Sequence, residues 1–77
     1  MYLVFDAILT GVAFNLENLT GSETVDDLKQ RIEKKTTIPR AEQNLIWGGR
    51  VLEDGTALPA YDNLGSGARI QFIQNRQ

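Results

Sequence analysis

A single segment of this chain has the apolar period of an α-helix, and this limits how the chain can fold. Val25, Leu28 and Ile32 recur at positions i, i+3 and i+7, so they form one apolar stripe along a helix. The threonine directly before the stripe and the aspartate three residues after that threonine form a variant of the capping box. Pro39 ends the pattern, because the residue before a proline avoids the helical region. We therefore predict one helix over about residues 24–35.

The remainder of the chain alternates apolar and polar residues in the manner of β-strands. Turns separate the alternating stretches: "LTG" at 9–11, with Gly11 at the left-handed position, "GG" at 48–49 and "EDG" at 53–55. A hairpin, one helix and then further strands indicate an α+β fold, with the helix laid across a mixed sheet. The predicted strands cover residues 1–5, 12–16, 43–47, 50–52 and 69–73.

Charge and length exclude several classes of function. The 77 residues have room for one domain, residues 1–77, and their net charge is −2 with acidic and basic residues interspersed. Because the densest basic stretch is only Lys34–Lys35, we expect no nucleic-acid partner. "MYLVF" at the start has no preceding positive segment, and no stretch approaches the ~20 apolar residues of a membrane span. We expect neither a signal peptide nor a membrane contact.

The residues that usually carry catalysis or bind metal ions are scarce. The chain has no cysteine and no histidine, so the usual zinc-ligand sets cannot be assembled. Ser22 and Ser66 have no neighbouring base that could activate a nucleophile. Asp26 and Asp27 are explained by the helix, whose N-terminus favours negative charge. We expect no enzymatic activity, no metal and no cofactor.

The stretch "LIW" at 45–47 puts apolar side chains on both faces of one strand, since neighbouring side chains point in opposite directions. If Leu45 and Trp47 face the helix, Ile46 faces outward. The same rule buries Ile70 and Phe72 in the last strand and leaves the residue after Phe72 exposed. The helix-facing residues supply a core, and the outward face needs a second explanation.

Several quoted stretches resemble ubiquitin and ubiquitin-like domains over nearly the whole chain. They are "LTG" after the first strand, "TVDDLKQRI" as the helix, "IPRAEQNLIWGGRVLEDG" at 38–55 and "L.AY" ending at Tyr61. The resemblance implies the β-grasp fold, a mixed sheet of four to five strands with one helix packed across it. It also implies a function in recognition by other proteins and not in catalysis.

The resemblance also implies a binding surface. Leu9, Ile46 and Ile73 match, residue by residue, the apolar patch that ubiquitin presents to its receptors, and in a β-grasp they would converge on the outward face of the sheet. Single exposed apolar residues are ordinary, but monomers seldom expose contiguous apolar patches without a use. We predict protein binding through Leu9, Ile46, Gly49, Arg50, Gln71 and Ile73.

A second exposed cluster is formed by Tyr2, Val4 and Ala13 on the first hairpin. This cluster has two interpretations of similar weight, a second binding patch or cross-strand packing that stabilises the hairpin. We expect the rim of the main patch to be poor in cations, because positions that are basic in ubiquitin are occupied here by uncharged residues. Those residues are Ala7, Asn44, Gln71 and Asn75.

Three differences from ubiquitin affect the predicted function. The sequence ends in "QNRQ" instead of the Gly-Gly through which ubiquitin is conjugated. Arg50 and Ser66 stand where ubiquitin has its two best-known chain-forming lysines, and arginine cannot form an isopeptide. Thr37 replaces a glycine that ends the helix.

We therefore predict a non-conjugated ubiquitin-like interaction module, a monomer belonging to a larger protein. Its expected partners are ubiquitin-receptor-type domains and proteasome subunits, in the cytoplasm, the nucleus or both. The alternative is a conjugated modifier seen without its terminal Gly-Gly.

Overall fold

The computed structural model describes residues 1–74, which form one five-stranded mixed sheet and one α-helix. The strand order is β2-β1-β5-β3-β4, with β1 and β5 parallel and the other neighbours antiparallel. The predicted α+β fold, a β-grasp, is therefore confirmed. The elements are β1 Leu3–Ala7, β2 Val12–Leu16, α1 Val25–Thr36, β3 Gln43–Trp47, β4 Arg50–Val51 and β5 Arg69–Gln74, with 3-10 turns at Arg40–Glu42 and Leu58–Ala60.

The helix begins and ends as its local sequence dictates. The backbone N–H of Asp27 donates to Oγ1 of Thr24 at 3.2 Å, and the N–H of Thr24 donates to Oδ2 of Asp27 at 3.1 Å. This is the predicted capping box. At the other end, Thr37 adopts a left-handed conformation with φ 64°, the position that glycine usually takes after a helix.

The core lies between the helix and one face of the sheet. All three residues of the helix stripe, Val25, Leu28 and Ile32, are completely buried. Phe5 stacks on Phe14 with ring centroids 5.3 Å apart, although Phe14 itself remains partly exposed. The buried apolar residues are Leu3, Phe5, Leu16, Leu19, Val25, Leu28, Ile32, Leu45, Leu52, Leu58, Leu64, Ile70 and Phe72.

Two buried polar side chains tie the helix to the loops around it. Nε2 of Gln43 donates to the carbonyls of Lys29 at 3.0 Å and of Ile38 at 2.9 Å. Nζ of Lys29 lies 2.6 Å from Oδ1 of Asp54. The sheet, the helix and the segment that follows the helix are thus fixed relative to one another.

The boundaries of three strands differ from their predictions, and β5 runs one residue further than predicted, to Gln74. Strand β1 covers Leu3–Ala7 and not residues 1–5. Ala7 belongs to the strand because it pairs with both Val12 and Phe72, whereas the amino group of Met1 donates to the carbonyl of Leu19 at 3.0 Å, outside the described ladders. Strand β4 keeps only Arg50–Val51, since Leu52 turns into the core and its N–H donates to the carbonyl of Leu45. Within residues 1–74, no helix has the length and apolar character needed to cross a membrane.

Candidate interaction surface

The outward face of the sheet, on the side away from α1, carries the centre of the predicted patch. Ile46 pairs with Gln71 across β3 and β5, and two pairs further along, on the same face, Asn44 lies opposite Ile73. Ile46 and Ile73 are therefore diagonal neighbours on one face, at a separation that long side chains can bridge. Both are partly exposed.

Two further aliphatic residues, which sequence reasoning missed, extend this face on either side. Val51 in β4 pairs with Ile46, and its side chain is 58% exposed. The N–H of Ile8 donates to the carbonyl of Phe72 at 3.2 Å, so Ile8 continues the β1–β5 ladder beside Ile73. The sequence could have predicted the exposure of Val51, because neighbouring strand residues face opposite sides and the next residue, Leu52, is buried. We call Ile8, Ile46, Val51 and Ile73 the outward patch.

Leu9 occupies a different environment from the one predicted. It lies in the β1–β2 turn and is 75% exposed. There it lines an apolar groove on the helix-facing side of the sheet, together with Val12 and Phe14. The structure therefore brings Ile46 and Ile73 together on the outward patch, and it places Leu9 at the boundary between that patch and the groove.

Gly49 and Arg50 lie at the sheet edge formed by β4. Gly49 has φ 81°, and an added Cβ there would meet no atom within 4 Å, so its backbone conformation and not crowding favours glycine. Arg50 pairs with Trp47, whose Nε1 donates to the carbonyl of Asp62 at 3.0 Å. Arg50 thus borders a shallow depression beside Trp47 and Tyr61, on the opposite side of its strand from Val51.

The rim of the outward patch is largely uncharged, but one rim residue differs from the prediction. Ala7 was predicted there, yet it pairs with Phe72 and lines the groove on the helix-facing side. Asp6 stands on the outward face instead, opposite Gln71. Its carboxylate accepts two hydrogen bonds from Arg69, at 2.7 Å and 3.1 Å. Asn75, another predicted rim residue, lies outside the described residues.

The second predicted cluster is separated from the outward patch by this ion pair. Val4 lies in register with Arg69, and Ala13 lies in register with Asp6. Tyr2, at the start of the same hairpin, is 46% exposed. The cluster of Tyr2, Val4 and Ala13 is therefore smaller and closer to charge than the outward patch.

Among residues 1–74, no group of three or more His, Cys, Asp or Glu side chains is positioned to hold a metal ion. The carboxylates that lie close to other charges are engaged in ion pairs with Lys29, Arg31, Arg40 and Arg69. The surface is suited to apolar contact.

Comparison with known proteins agrees with this architecture. The sequence model of the ubiquitin family matches residues 6–77. Among solved structures, the UBL domain of Dsk2 from Plasmodium falciparum is similar to this chain, with a TM-score of 0.87 and 24% sequence identity. The similarity covers 97% of each of the two chains.

Proposed function

This chain belongs to the ubiquitin family, and from that premise we propose that it is a non-catalytic recognition module of a larger protein. The module acts without being conjugated and binds ubiquitin-receptor-type domains or proteasome-associated proteins of the ubiquitin pathway. It works as a monomer in the cytoplasm, the nucleus or both, without a nucleic-acid or membrane partner.

The observation that carries the proposal is the outward patch. Ile8, Ile46, Val51 and Ile73 come from four different strands or turns and share one face of the sheet. Val51 and Ile8 are 58% and 48% exposed, so the patch is open to a partner. A contiguous apolar surface of this kind is uncommon on a small domain unless something binds it.

The size and charge of the patch determine the kind of complex it forms. Four aliphatic side chains support a small interface, in the range below about 1,200 Å² that is typical of weak, transient contacts. The neighbouring residues Asn44 and Gln71 are uncharged, so affinity depends on apolar burial more than on ion pairs. Arg50, which occupies the position of a chain-forming lysine of ubiquitin, offers no amine for polymer formation.

The proposal is tested by titrating the domain with a ubiquitin-receptor domain and measuring affinity by calorimetry. Burying one aliphatic side chain fully contributes about 1.5–3 kcal/mol, so Ile46→Ala should weaken binding about tenfold or more. Val51→Ala should weaken it by a smaller factor. The matched control is Val12→Ala, which removes an equally exposed valine from the other face of the sheet.

Equal affinities for Ile46→Ala and the unchanged domain would refute the assignment of the patch. Loss of binding in Val12→Ala but not in Ile46→Ala would move the site to the helix-facing side of the sheet.

A further inference from the structure

We propose that the linkage between Asp54 and Gly55 is a modification site, at which the main chain isomerises to isoaspartate without an enzyme. The ion pair between Asp54 and Lys29 keeps the rate of this reaction low. The modified turn is then a substrate for a carboxyl methyltransferase that recognises isoaspartate. The site lies in the turn after β4, and the proposal does not depend on the outward patch.

The reaction is a rearrangement within the turn that needs only water. The amide nitrogen of Gly55 attacks Cγ of Asp54 and loses its proton, and the carboxyl group in its acid form loses its hydroxyl, so that water leaves and a cyclic imide forms. Water then adds to the main-chain carbonyl carbon of Asp54 and breaks the bond from this carbon to the nitrogen. The main chain now runs through Cβ and Cγ, and the former carbonyl carbon is a free carboxylate. No atom is gained or lost overall.

The sequence concentrates this reaction at one linkage. Asp54 is the one aspartate or asparagine that a glycine follows. The other residues of these two types precede alanine, leucine, arginine, aspartate or asparagine. A side chain on the following residue crowds the approach of its nitrogen to Cγ, whereas glycine has no Cβ to do so. Imide formation should therefore be fastest at Asp54.

The turn that contains this linkage is open to water. Glu53, Asp54 and Gly55 are all exposed, and the side chain of Asp54 is 63% exposed. Within residues 1–74, the N–H of Gly55 donates to no backbone carbonyl. A Cβ added to Gly55 would meet no atom within 4 Å, and the backbone of Gly55 is outside the left-handed region. The reacting nitrogen is thus uncrowded, and alanine fits at residue 55 without strain.

The contact with Lys29 opposes the reaction. Lys29 belongs to the buried face of α1, and its Nζ lies 2.6 Å from Oδ1 of Asp54. This contact holds the carboxyl group against the helix. To react, the carboxyl group has to be protonated and to turn its Cγ onto the nitrogen of Gly55, which gives up the contact. The loss of a charge-assisted hydrogen bond therefore adds to the activation barrier.

The same turn holds the first turn of α1 in place. The N–H of Asp26 donates to the carbonyl of Asp54, and the N–H of Val25 donates to the carbonyl of Thr56, both at 3.0 Å. These two N–H groups have no acceptor within the helix. Isomerisation lengthens the main chain between the two carbonyls by one carbon and turns the first of them into a carboxylate. The modified turn can therefore no longer present both acceptors in this register.

The proposal is tested by ageing the purified domain in neutral buffer, well below its temperature of thermal unfolding. Isoaspartate is measured with a carboxyl methyltransferase and radiolabelled S-adenosylmethionine, and mass spectrometry with electron-transfer fragmentation locates it. Gly55→Ala, Lys29→Met and Ile32→Val are aged in parallel. Ile32→Val weakens the core mildly and leaves the turn intact, so it separates a general loss of stability from the loss of the ion pair. A synthetic peptide of residues 51–57 gives the rate without a fold.

We expect isoaspartate at residue 54 of the ageing domain, formed more slowly than in the peptide. Gly55→Ala should slow its formation about tenfold, because the added Cβ hinders the attack. Lys29→Met should accelerate it about threefold to tenfold, the effect of one hydrogen bond on a barrier. Ile32→Val should change the rate less than about twofold, since the unfolded fraction remains small.

The isolated isoaspartate form tests the structural consequence. Its amide hydrogen exchange at Val25 and Asp26 should be about threefold to tenfold faster than in the fresh domain, as expected for the loss of one hydrogen bond each. Unchanged exchange at both amides would refute the effect on α1.

The absence of isoaspartate at residue 54 of the aged domain would overturn the proposal, and so would equal rates in the domain and the peptide. Equal rates in Lys29→Met and the unchanged domain would refute the part played by the ion pair. An acceleration in Ile32→Val as large as that in Lys29→Met would also count against the ion pair, because it would assign the effect to a looser fold.

Discussion

Ile8 stands directly beside Ile73 on the outward face, although Ile8 lies in the turn that follows β1. The N–H of Ile8 donates to the carbonyl of Phe72 at 3.2 Å, which extends the parallel β1–β5 ladder by one residue. The next residue, Leu9, leaves the ladder and lines the groove on the other side. Two adjacent apolar residues of one turn thus serve different surfaces.

We predict that Ile8→Ser weakens binding of a ubiquitin-receptor domain about as much as Ile73→Ser, roughly tenfold. Leu9→Ser, a matched loss of an exposed aliphatic residue from the same turn, should change the affinity by a smaller factor. Calorimetric titration of the three variants gives the comparison. A larger loss for Leu9→Ser than for Ile8→Ser would show that the turn rearranges on binding and that Leu9 belongs to the patch.

The sequence was sufficient to predict the fold because each local signal agreed with the next. The capping threonine, the stripe at Leu28 and Ile32 and the alternation of "QNLIW" all survive in the structure. The sequence could not reveal which residue of "AILTG" continues the ladder, since a hydrogen bond between strands far apart in the chain decides it. For the same reason the sequence predicted Ala7 on the rim of the outward patch, whereas the structure places Asp6 there.

A second prediction concerns the end of the helix, where Thr37 has φ 64°. A β-branched residue is strained in this left-handed region, by roughly 1–2 kcal/mol. Glycine removes the strain, but it gives the unfolded chain about 0.4–1 kcal/mol more conformational entropy to lose. Thr37→Gly should therefore stabilise the domain by about 0.5–1 kcal/mol, measured by urea unfolding. Thr37→Val remains β-branched, so it should give no gain in stability. Equal stabilities of Thr37→Gly and Thr37→Val would show that Thr37 is not strained.

A third prediction concerns the pair of Lys29 and Asp54, whose side chains are 9% and 63% exposed. Asp54→Asn removes the carboxylate but leaves the buried ammonium without its charge partner. Lys29→Met removes the ammonium and keeps the apolar stem. We expect Asp54→Asn to destabilise the domain by about 1–2 kcal/mol and Lys29→Met by less, because an unpaired buried charge is the larger cost. Urea unfolding of both single variants and of the double variant checks this order. A greater loss of unfolding free energy for Lys29→Met than for Asp54→Asn would contradict it.

A fourth prediction concerns the dependence of stability on pH. Burial of the Glu23 carboxyl raises its pKa, but hydrogen bonds from the backbone of Thr20, Glu23 and Gly21 and from the Thr20 hydroxyl outweigh this, so the pKa is lowered. The N–H groups of Thr20 and Gly21 donate to its two oxygens at 2.7 Å and 2.9 Å. A lowered pKa in the folded state stabilises the protein above the unfolded pKa of about 4.3, and this stabilisation is lost as the pH falls through the folded pKa.

Glu23→Gln should therefore be less stable than the unchanged domain at pH 7, by about 1 kcal/mol. The difference should shrink below about pH 4. Thermal unfolding from pH 7 to pH 2 measures it, with Glu17→Gln as the control for an exposed glutamate. A difference that stays constant over this range would mean that the titration of Glu23 does not contribute.

The last prediction concerns how charge on the outward face selects partners, and it depends on the proposed function. Arg69 lies on this face in the central strand β5, and Asp6 holds it through two hydrogen bonds. The neighbouring positions Asn44 and Gln71 are uncharged, so receptor helices flanked by acidic runs should bind this domain less well than they bind ubiquitin.

Asp6→Ala removes a repelling carboxylate and releases Arg69 to meet an acidic residue of the partner. We expect a gain in affinity for such a helix of about twofold to fivefold at 50 mM salt. The gain should largely disappear at 1 M salt, where charges are screened within about 3 Å.

Because the ion pair is exposed, the free energy of unfolding should change by less than about 1 kcal/mol. A receptor that relies on apolar contact alone should bind the variant and the unchanged domain equally well. In the double variant Asp6→Ala/Arg69→Gln the gain should be smaller, since only the removal of the carboxylate remains. A gain that persists at 1 M salt, or that is undiminished in the double variant, would mean that Arg69 plays no part in selecting the partner.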